Sequence, residues 1–110
     1  MAENELAYAI LDAFPVTEQH TLIKPKRHLD DFFSLYQPER NAIQQLLEER
    51  RQAILSSDST VTGFNVGNNI GKDGGQTIMH CHTDLIPRRK GDMSDARGGV
   101  KGVIPGKQKY

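Results

Sequence analysis

The chain has 110 residues, which suits one small domain, and its 14 basic and 14 acidic side chains balance. That balance argues against a general nucleic-acid or membrane surface, because such surfaces need an excess of basic charge. One cysteine excludes an internal disulfide, and the lack of a long apolar run or a signal-peptide pattern predicts a cytoplasmic protein without a transmembrane helix.

The first half of the chain predicts a β-hairpin followed by one long helix. Residues 6–14 are rich in apolar side chains and predict a strand that stops before Pro15. After a short loop, the apolar run Thr21-Leu22-Ile23, closed by Lys24-Pro25, predicts a second strand. A short helical turn is predicted over residues 30–35. From residue 38 to about residue 56 apolar side chains recur at helical spacing, with charged and amide side chains between them, which predicts an amphipathic helix.

The second half predicts two more strands around a glycine-rich loop. Residues 61–66 read as a third strand, and residues 67–75 contain four glycines and two adjacent asparagines, which indicates a loop with unusual backbone angles. Residues 77–86 predict a fourth strand that Pro87 ends.

Strands on both sides of one long helix predict a single α+β domain over residues 1–110, with a mainly antiparallel sheet, one long helix and one short helix. Its core is expected over about residues 3–88. Residues 89–110 are rich in glycine and charge and predict an irregular tail.

The most distinctive stretch is His80-Cys81-His82-Thr83-Asp84. Side chains alternate along an extended strand, so the two histidines and Asp84 would share one face, while Cys81 and Thr83 would share the other. Polar, proton-handling groups gathered on one face of a strand indicate a functional site, and Cys81 on the opposite face is expected to lie in the core.

Three interpretations of this stretch remain open from the residues alone. A neutral imidazole is a good nucleophile toward phosphorus, and the loop at 74–77 together with Asn69 offers donors for phosphoryl oxygens without a metal. Alternatively, two histidines and a carboxylate are a common metal-ligand set, which would need a fourth ligand, with His20 and His28 the remaining histidines. The third interpretation is two surface histidines on an edge strand.

Several motifs, in order along the chain, resemble the signature of the histidine triad (HIT) family. They are Leu11-Asp12-x-Phe14-Pro15, His20-Thr21-Leu22, Pro25-Lys26-Arg27-His28, Asn69-x-Gly71-x-x-Gly74-Gly75-Gln76-Thr77-x-x-His80-x-His82 and Leu85-Ile86-Pro87-Arg88. Residues 97–105 resemble the tail of a bacterial branch that is described as diadenosine-polyphosphate-hydrolase-like.

The resemblance implies a nucleotide-binding HIT-like fold and nucleotidyl transfer or hydrolysis at the α-phosphate of a nucleotide conjugate, with a purine base favoured and no cofactor or metal. It also implies a homodimer whose sheets join. A homodimer agrees with the modest apolar fraction of 36%, since a second subunit would bury more surface.

The resemblance also implies roles for single residues. His82 would be the nucleophile that forms a nucleotidyl-histidine intermediate, the backbone carbonyl of His80 would accept a hydrogen bond from His82, and His20 would support His80. Substrate-binding roles would fall to residues that contact phosphate (Asn69, Gln76 and Thr77), ribose (Asp12) and base (Ile10 and Phe14). From the residues alone, a buried core histidine is the favoured interpretation of His20, and Asp12 could equally be a turn residue before Pro15.

Asp84 departs from the family pattern, which has a third histidine at this position. An ionised carboxylate there would repel a phosphate by about 1 kcal/mol or more, whereas a protonated one could donate a hydrogen bond. Three outcomes follow: slow hydrolysis, a nucleotide-binding protein with little turnover, or a cation recruited between Asp84 and the phosphate.

Overall fold

Five antiparallel strands form one sheet in the computed structural model, which describes residues 1–109. The strands are β1 (Ala2–Glu3), β2 (Ala7–Leu11), β3 (Thr21–Pro25), β4 (Val61–Gly67) and β5 (Thr83–Arg89), and the helix α1 spans Gln37–Ser57. Their order is β1-β2-β3-β5-β4, and every neighbouring pair is antiparallel. The predicted α+β class, the first hairpin and the long helix are confirmed, and a 3₁₀ turn at Phe32–Ser34 is the predicted short helix.

The helix α1 covers one face of the sheet, and within residues 1–109 no α-helix lies on the other face, which is called the open face below. Ala9 and Ile23, paired across β2 and β3, pack in one cluster with Ile43 and Leu46 of α1. Leu46 is fully buried, so its side chain lies at the centre of this layer. Burial of these apolar side chains is the main stabilising contribution to the fold.

The open face of the sheet carries Asp84. The strand register aligns Ile10 of β2, Leu22 of β3 and Asp84 of β5 in one row. Partners in antiparallel strands point to the same side, and successive residues point to opposite sides. Because the neighbouring Ile23 packs against α1, the row that contains Asp84 faces away from the helix.

The predicted strand over residues 77–86 is wrong at both ends. The strand β5 begins only at Thr83, because its partner β3 ends at Pro25, which has no N–H with which to continue the ladder. At its other end β5 continues through Pro87 to Arg89. Pairing with β3 stops at Leu85, so the β3 side of Pro87 has no strand ladder that would need an N–H. The Pro87 carbonyl on that side accepts from Thr17 Oγ1 at 2.7 Å.

The first predicted strand is also shorter than expected. β2 ends at Leu11, because Asp12 Oδ1 accepts from the Phe14 N–H at 2.8 Å and turns the chain. β1 is an additional two-residue strand that pairs with β2.

The C-terminal tail begins after Arg89 and is more ordered than the predicted irregular segment. It contains a 3₁₀ helix at Gly99–Val103 and is closed by a hydrogen bond from Gln108 Nε2 to the Asp95 carbonyl at 3.1 Å. Gly98 has a φ of 88°, and a Cβ there would meet the Gln108 carbonyl oxygen at 1.4 Å, so this close approach requires glycine. Tyr110 lies outside the described residues. Within residues 1–109 no helix has the length and apolar character of a membrane span.

Candidate active site

His82 lies immediately before β5 and has one nitrogen occupied by the backbone. Its Nδ1 is 3.2 Å from the carbonyl oxygen of His80, which is the contact that the family resemblance predicts. A carbonyl oxygen only accepts, so Nδ1 carries the proton, and in the neutral ring Nε2 keeps the lone pair. His82 is therefore in the tautomer that a nucleophilic Nε2 requires.

His80 is held by two contacts, one to the last residue of β3 and one to the segment that follows it. Its Nε2 is 3.3 Å from the Pro25 carbonyl oxygen, and its Nδ1 is 3.0 Å from Nδ1 of His28. The two imidazole rings meet edge to face, with centroids 4.9 Å apart and planes at 73°. His28 was not among the predicted site residues. The available sequence signal was its place at the end of the Pro25-Lys26-Arg27-His28 motif.

His20 is buried and contacts Asp84, whereas the family resemblance implied that it would support His80. Its Nε2 is 2.7 Å from Asp84 Oδ1 and 3.6 Å from Asp12 Oδ2. Its Nδ1 accepts from the backbone N–H of Val16 at 3.2 Å. Because Nδ1 accepts, the proton of the neutral ring lies on Nε2 and is donated to Asp84. The predicted support of His80 by His20 is thus wrong, and Asp84 is held by His20.

The same three side chains are a candidate group for a metal ion. One ligand atom from each of Asp12, His20 and Asp84 lies within 4.8 Å of the other two. A metal at His20 Nε2 would need a lone pair there, and the proton would then move to Nδ1, where it would face the N–H of Val16. The donor set therefore fits a trio in which His20 Nε2 donates to Asp84 and lies 3.6 Å from Asp12 Oδ2, better than it fits a metal site.

Of the three side chains predicted to bind phosphate, Gln76 makes its hydrogen bonds within the protein, whereas Asn69 and Thr77 are accessible. Gln76 is 6% exposed. Its Oε1 accepts from Gly71 N–H at 3.0 Å, and its Nε2 donates to the carbonyls of Asp30 at 2.6 Å and Ile78 at 3.1 Å. These contacts use both amide hydrogens, so Gln76 braces the loop and is not available to a phosphate. Asn69 and Thr77 are exposed, and within residues 1–109 neither side chain has a hydrogen-bond partner.

Asn68, which was not a predicted site residue, is the asparagine of this loop whose side chain makes hydrogen bonds within the protein. Its Nδ2 donates to Thr83 Oγ1 at 3.1 Å and fixes the start of β5. The adjacent Asn69 side chain lies beside Gly75, which has a φ of 91°, so the loop takes a turn that favours glycine there.

The residues predicted to contact ribose and base lie at one end of β2. Asp12 combines the turn role with a place in the trio, since Oδ1 accepts from Phe14 while Oδ2 faces His20. Ile10 shares the row of Asp84 on the open face and is 36% exposed. Phe14 is 88% exposed.

Cys81 lies on the opposite side of the motif from the histidines. It is 1% exposed and packs in the cluster beneath α1. Burial, together with the charges of Asp31 and Glu39, raises the pKa of its thiol to about 11, so it is neutral at physiological pH. Cys81 is a core residue, as the alternation predicted.

Comparison with known proteins places this geometry in a family. The HIT domain family matches residues 1–91. The chain is 40% identical over 88 residues to an uncharacterised HIT-like protein of Mycoplasma genitalium. These 88 residues cover 80% of this chain and 62% of the Mycoplasma protein. It is 32% identical over 108 residues to the AP-4-A phosphorylase of Mycobacterium tuberculosis, over 96% of this chain and 54% of that one. The chain thus spans about three fifths, or less, of these relatives.

Solved structures agree with that assignment. A HIT family protein from Bacillus anthracis superposes with a TM-score of 0.78 at 37% identity, over 84% of this chain and 64% of that chain. A zinc-bound histidine triad family protein from Mycobacterium smegmatis superposes with a TM-score of 0.77 at 32% identity, over 86% and 68%. With a match over most of the chain, an α+β fold in common and the paired histidines in place, this protein belongs to the histidine triad (HIT) family.

Proposed function

We propose that this protein is a nucleotide hydrolase or nucleotidyl transferase that acts at the α-phosphate of a nucleotide conjugate, with a purine base favoured. The observation that carries the proposal is the 3.2 Å contact between His82 Nδ1 and the His80 carbonyl, because it leaves Nε2 of His82 as the nucleophile.

The reaction would run in two displacements at phosphorus. Nε2 of His82 forms a bond to the α-phosphorus while the bond to the leaving group breaks, which gives a nucleotidyl-histidine. The His80 carbonyl stabilises the imidazolium character of that adduct through Nδ1–H. Water or another acceptor then attacks phosphorus, the P–N bond breaks, and His82 is regenerated. In this proposal the exposed side chains of Asn69 and Thr77 would donate to phosphoryl oxygens, and the Asp12 carboxylate would accept from the ribose hydroxyls.

Trapping tests this proposal. Acid-labile labelled protein should accumulate when the wild-type protein is mixed with a dinucleoside polyphosphate labelled in its α-phosphates and quenched in denaturant. The adduct should be absent from His82→Ala and present in Met79→Ala, which changes an exposed neighbour outside the contacts described above. If no adduct forms at any substrate concentration in the wild-type protein, the covalent mechanism is wrong.

A second function, nucleotide binding with little turnover, is favoured by Asp84. Its carboxylate accepts from His20 at 2.7 Å on the open face of the sheet, where the family pattern has a neutral or cationic imidazole. Calorimetry with AMP beside a turnover assay separates the two functions. Binding without turnover, together with activity gained in Asp84→His, supports the binding protein, whereas turnover by the wild-type protein excludes it.

We also propose that the protein is a cytoplasmic homodimer joined at the outer edge of β4. This strand lies at the end of the sheet order, so one of its sides has no strand partner within the described residues. A groove of about 480 Å³ between α1 and the end of β4, lined in part by Leu47 and Val66, continues that edge toward the helix. Sedimentation equilibrium of the wild-type protein tests the dimer, and a single monomeric species would refute it.

A further inference from the structure

We infer that Lys24 is a further substrate-binding residue, whose ammonium group binds phosphoryl oxygens of the nucleotide that His82 attacks. This role rests on the proposed function, because the nucleotide is the ligand named there. Nucleotide binding can be measured without turnover, so the contact and the reaction can fail separately.

Lys24 lies in β3 on the open face of the sheet, beside His82. Buried and half-buried residues alternate along β3, with Ile23 and Pro25 buried and Lys24 half-buried. Ile23 pairs with Thr83 at the start of β5. Because the strands are antiparallel, Lys24, which follows Ile23, and His82, which precedes Thr83, lie on the same side of this pair. Thr83 is buried and His82 is half-buried, so Lys24 and His82 share the open face.

Lys24 has no partner within the described chain, although Asp84 lies on the same face. Among residues 1–109 its side chain forms no salt bridge and no hydrogen bond. Asp84 pairs with Leu22, which makes it the diagonal neighbour of Lys24 and places it within reach of a long side chain. The Asp84 carboxylate accepts from His20 at 2.7 Å and is not paired with Lys24.

Glu3 is a second carboxylate near Lys24, and it also has another partner. Glu3 pairs with Tyr8 and Tyr8 pairs with Lys24, so the three residues form one row across β1, β2 and β3. The Glu3 carboxylate binds Lys26 Nζ at 2.7 Å. The ammonium group of Lys24 is therefore left for an anion from outside the protein.

The groups already assigned to the substrate supply no cation for a phosphate. Asp12 and Asp84 are carboxylates, and the accessible loop side chains, Asn69 and Thr77, are uncharged donors. A phosphate at His82 would thus meet two negative charges. A lysine ammonium is a compact positive charge on a flexible four-carbon stem, which suits it to bind phosphate as a point charge.

Arg88 is the other cation among the strand residues of the open face, and it is engaged. It lies two positions beyond Ile86 and four beyond Asp84 along β5, so it shares their face. Its guanidinium donates to both carboxylate oxygens of Asp92 at 2.8 and 2.9 Å, and to Asn65 Oδ1 at 2.7 Å. Among the strand residues that the structure describes on this face, the cation without a carboxylate partner is Lys24.

A matched pair of variants tests the contact by calorimetry. Lys24→Met keeps the length of the side chain and removes its charge. Lys26→Met removes an equal charge two residues away, from a lysine that is paired with Glu3. We expect the Kd for AMP to rise at least about 10-fold in Lys24→Met, with the Kd for adenosine changed by less than about twofold. Lys26→Met should change the Kd for AMP by less than about twofold, and Lys24→Arg should stay within about fivefold of wild type.

A second measurement leaves the sequence unchanged. Wild-type protein is treated with limiting acetic anhydride, and the acetylation rate of each lysine is followed by mass spectrometry. At AMP concentrations about ten times the Kd, the rate at Lys24 should fall about 10-fold, because only the free protein reacts there. Adenosine should leave this rate unchanged, and the rate at Lys26 should be the same with and without AMP.

Each outcome decides one of the two proposals. An unchanged Kd for AMP in a folded Lys24→Met protein would overturn the role of Lys24, and so would equal losses of affinity in Lys24→Met and Lys26→Met. The role is also overturned if AMP leaves the acetylation of Lys24 unchanged or if adenosine slows it equally. If the wild-type protein forms no adduct while Lys24→Met binds AMP more weakly, the proposed function fails and the contact of Lys24 with phosphate stands.

Discussion

Replacing Gln76 with alanine separates a structural brace from a phosphate ligand. In the structure the amide makes three hydrogen bonds, one accepted from Gly71 and two donated to the carbonyls of Asp30 and Ile78. Gln76 is 6% exposed, so water replaces these partners poorly when the amide is removed. At ~1 kcal/mol for each bond, we expect Gln76→Ala to lower the free energy of unfolding by about 3 kcal/mol.

The assay is urea denaturation followed by circular dichroism, with Thr77→Ala as the matched control. Thr77 is exposed and its hydroxyl has no partner within residues 1–109, so its truncation should change stability by less than about 0.5 kcal/mol. The thermal midpoint of Gln76→Ala should fall by at least about 10 °C. The reasoning would be refuted if Gln76→Ala kept wild-type stability and raised the KM for nucleotide, because that pattern belongs to a ligand contact.

Three further predictions concern the core, the pH dependence and the charge at the site. Leu46→Ala removes a fully buried side chain and should lower the unfolding free energy by about 2–5 kcal/mol in urea titrations, and a loss below about 1 kcal/mol would contradict the packing described. Hydrogen bonds from Arg27 lower the pKa of the buried Glu39, so its contribution is present above the unfolded pKa of about 4.3 and is lost as pH falls through the lower folded value. The urea midpoint of wild type should therefore fall more steeply below about pH 4.3 than that of Glu39→Gln, and parallel curves would exclude this coupling. Asp84→Asn keeps an acceptor for His20 and removes one charge, so AMP should bind about fivefold more tightly by calorimetry, equivalent to ~1 kcal/mol; unchanged affinity would mean that the carboxylate does not face the phosphate.

Local patterns in the sequence were sufficient for most elements of the fold. The helix was predicted over 38–56 and is found at Gln37–Ser57, because its apolar spacing and the proline in its first turn are local signals. The predicted strand over residues 77–86 is wrong at its start because the partner strand β3 ends at Pro25, and no local pattern at 77–86 records where the neighbouring strand ends. The prediction that Pro87 ends the strand is wrong for a related reason. A proline interrupts a strand only where its missing N–H would have been needed.

The candidate site divides in the same way. The contact of His82 with the His80 carbonyl joins residues only two positions apart, so it could be predicted from the motif. The bond between His20 and Asp84 spans 64 residues and the bond between His28 and His80 spans 52, so both depend on how β3 lies beside β5.

The sequence by itself was enough for the family and the α+β class, since its motifs and element patterns are local, and it singled out His82 as the proposed nucleophile. Only the tertiary structure decided which groups surround that nucleophile. In the tertiary structure Gln76 donates to the Asp30 carbonyl, Asp84 accepts from His20, and His28 contacts His80. Hydrogen bonds of this kind join distant segments, so they depend on strand register and on where the strands end.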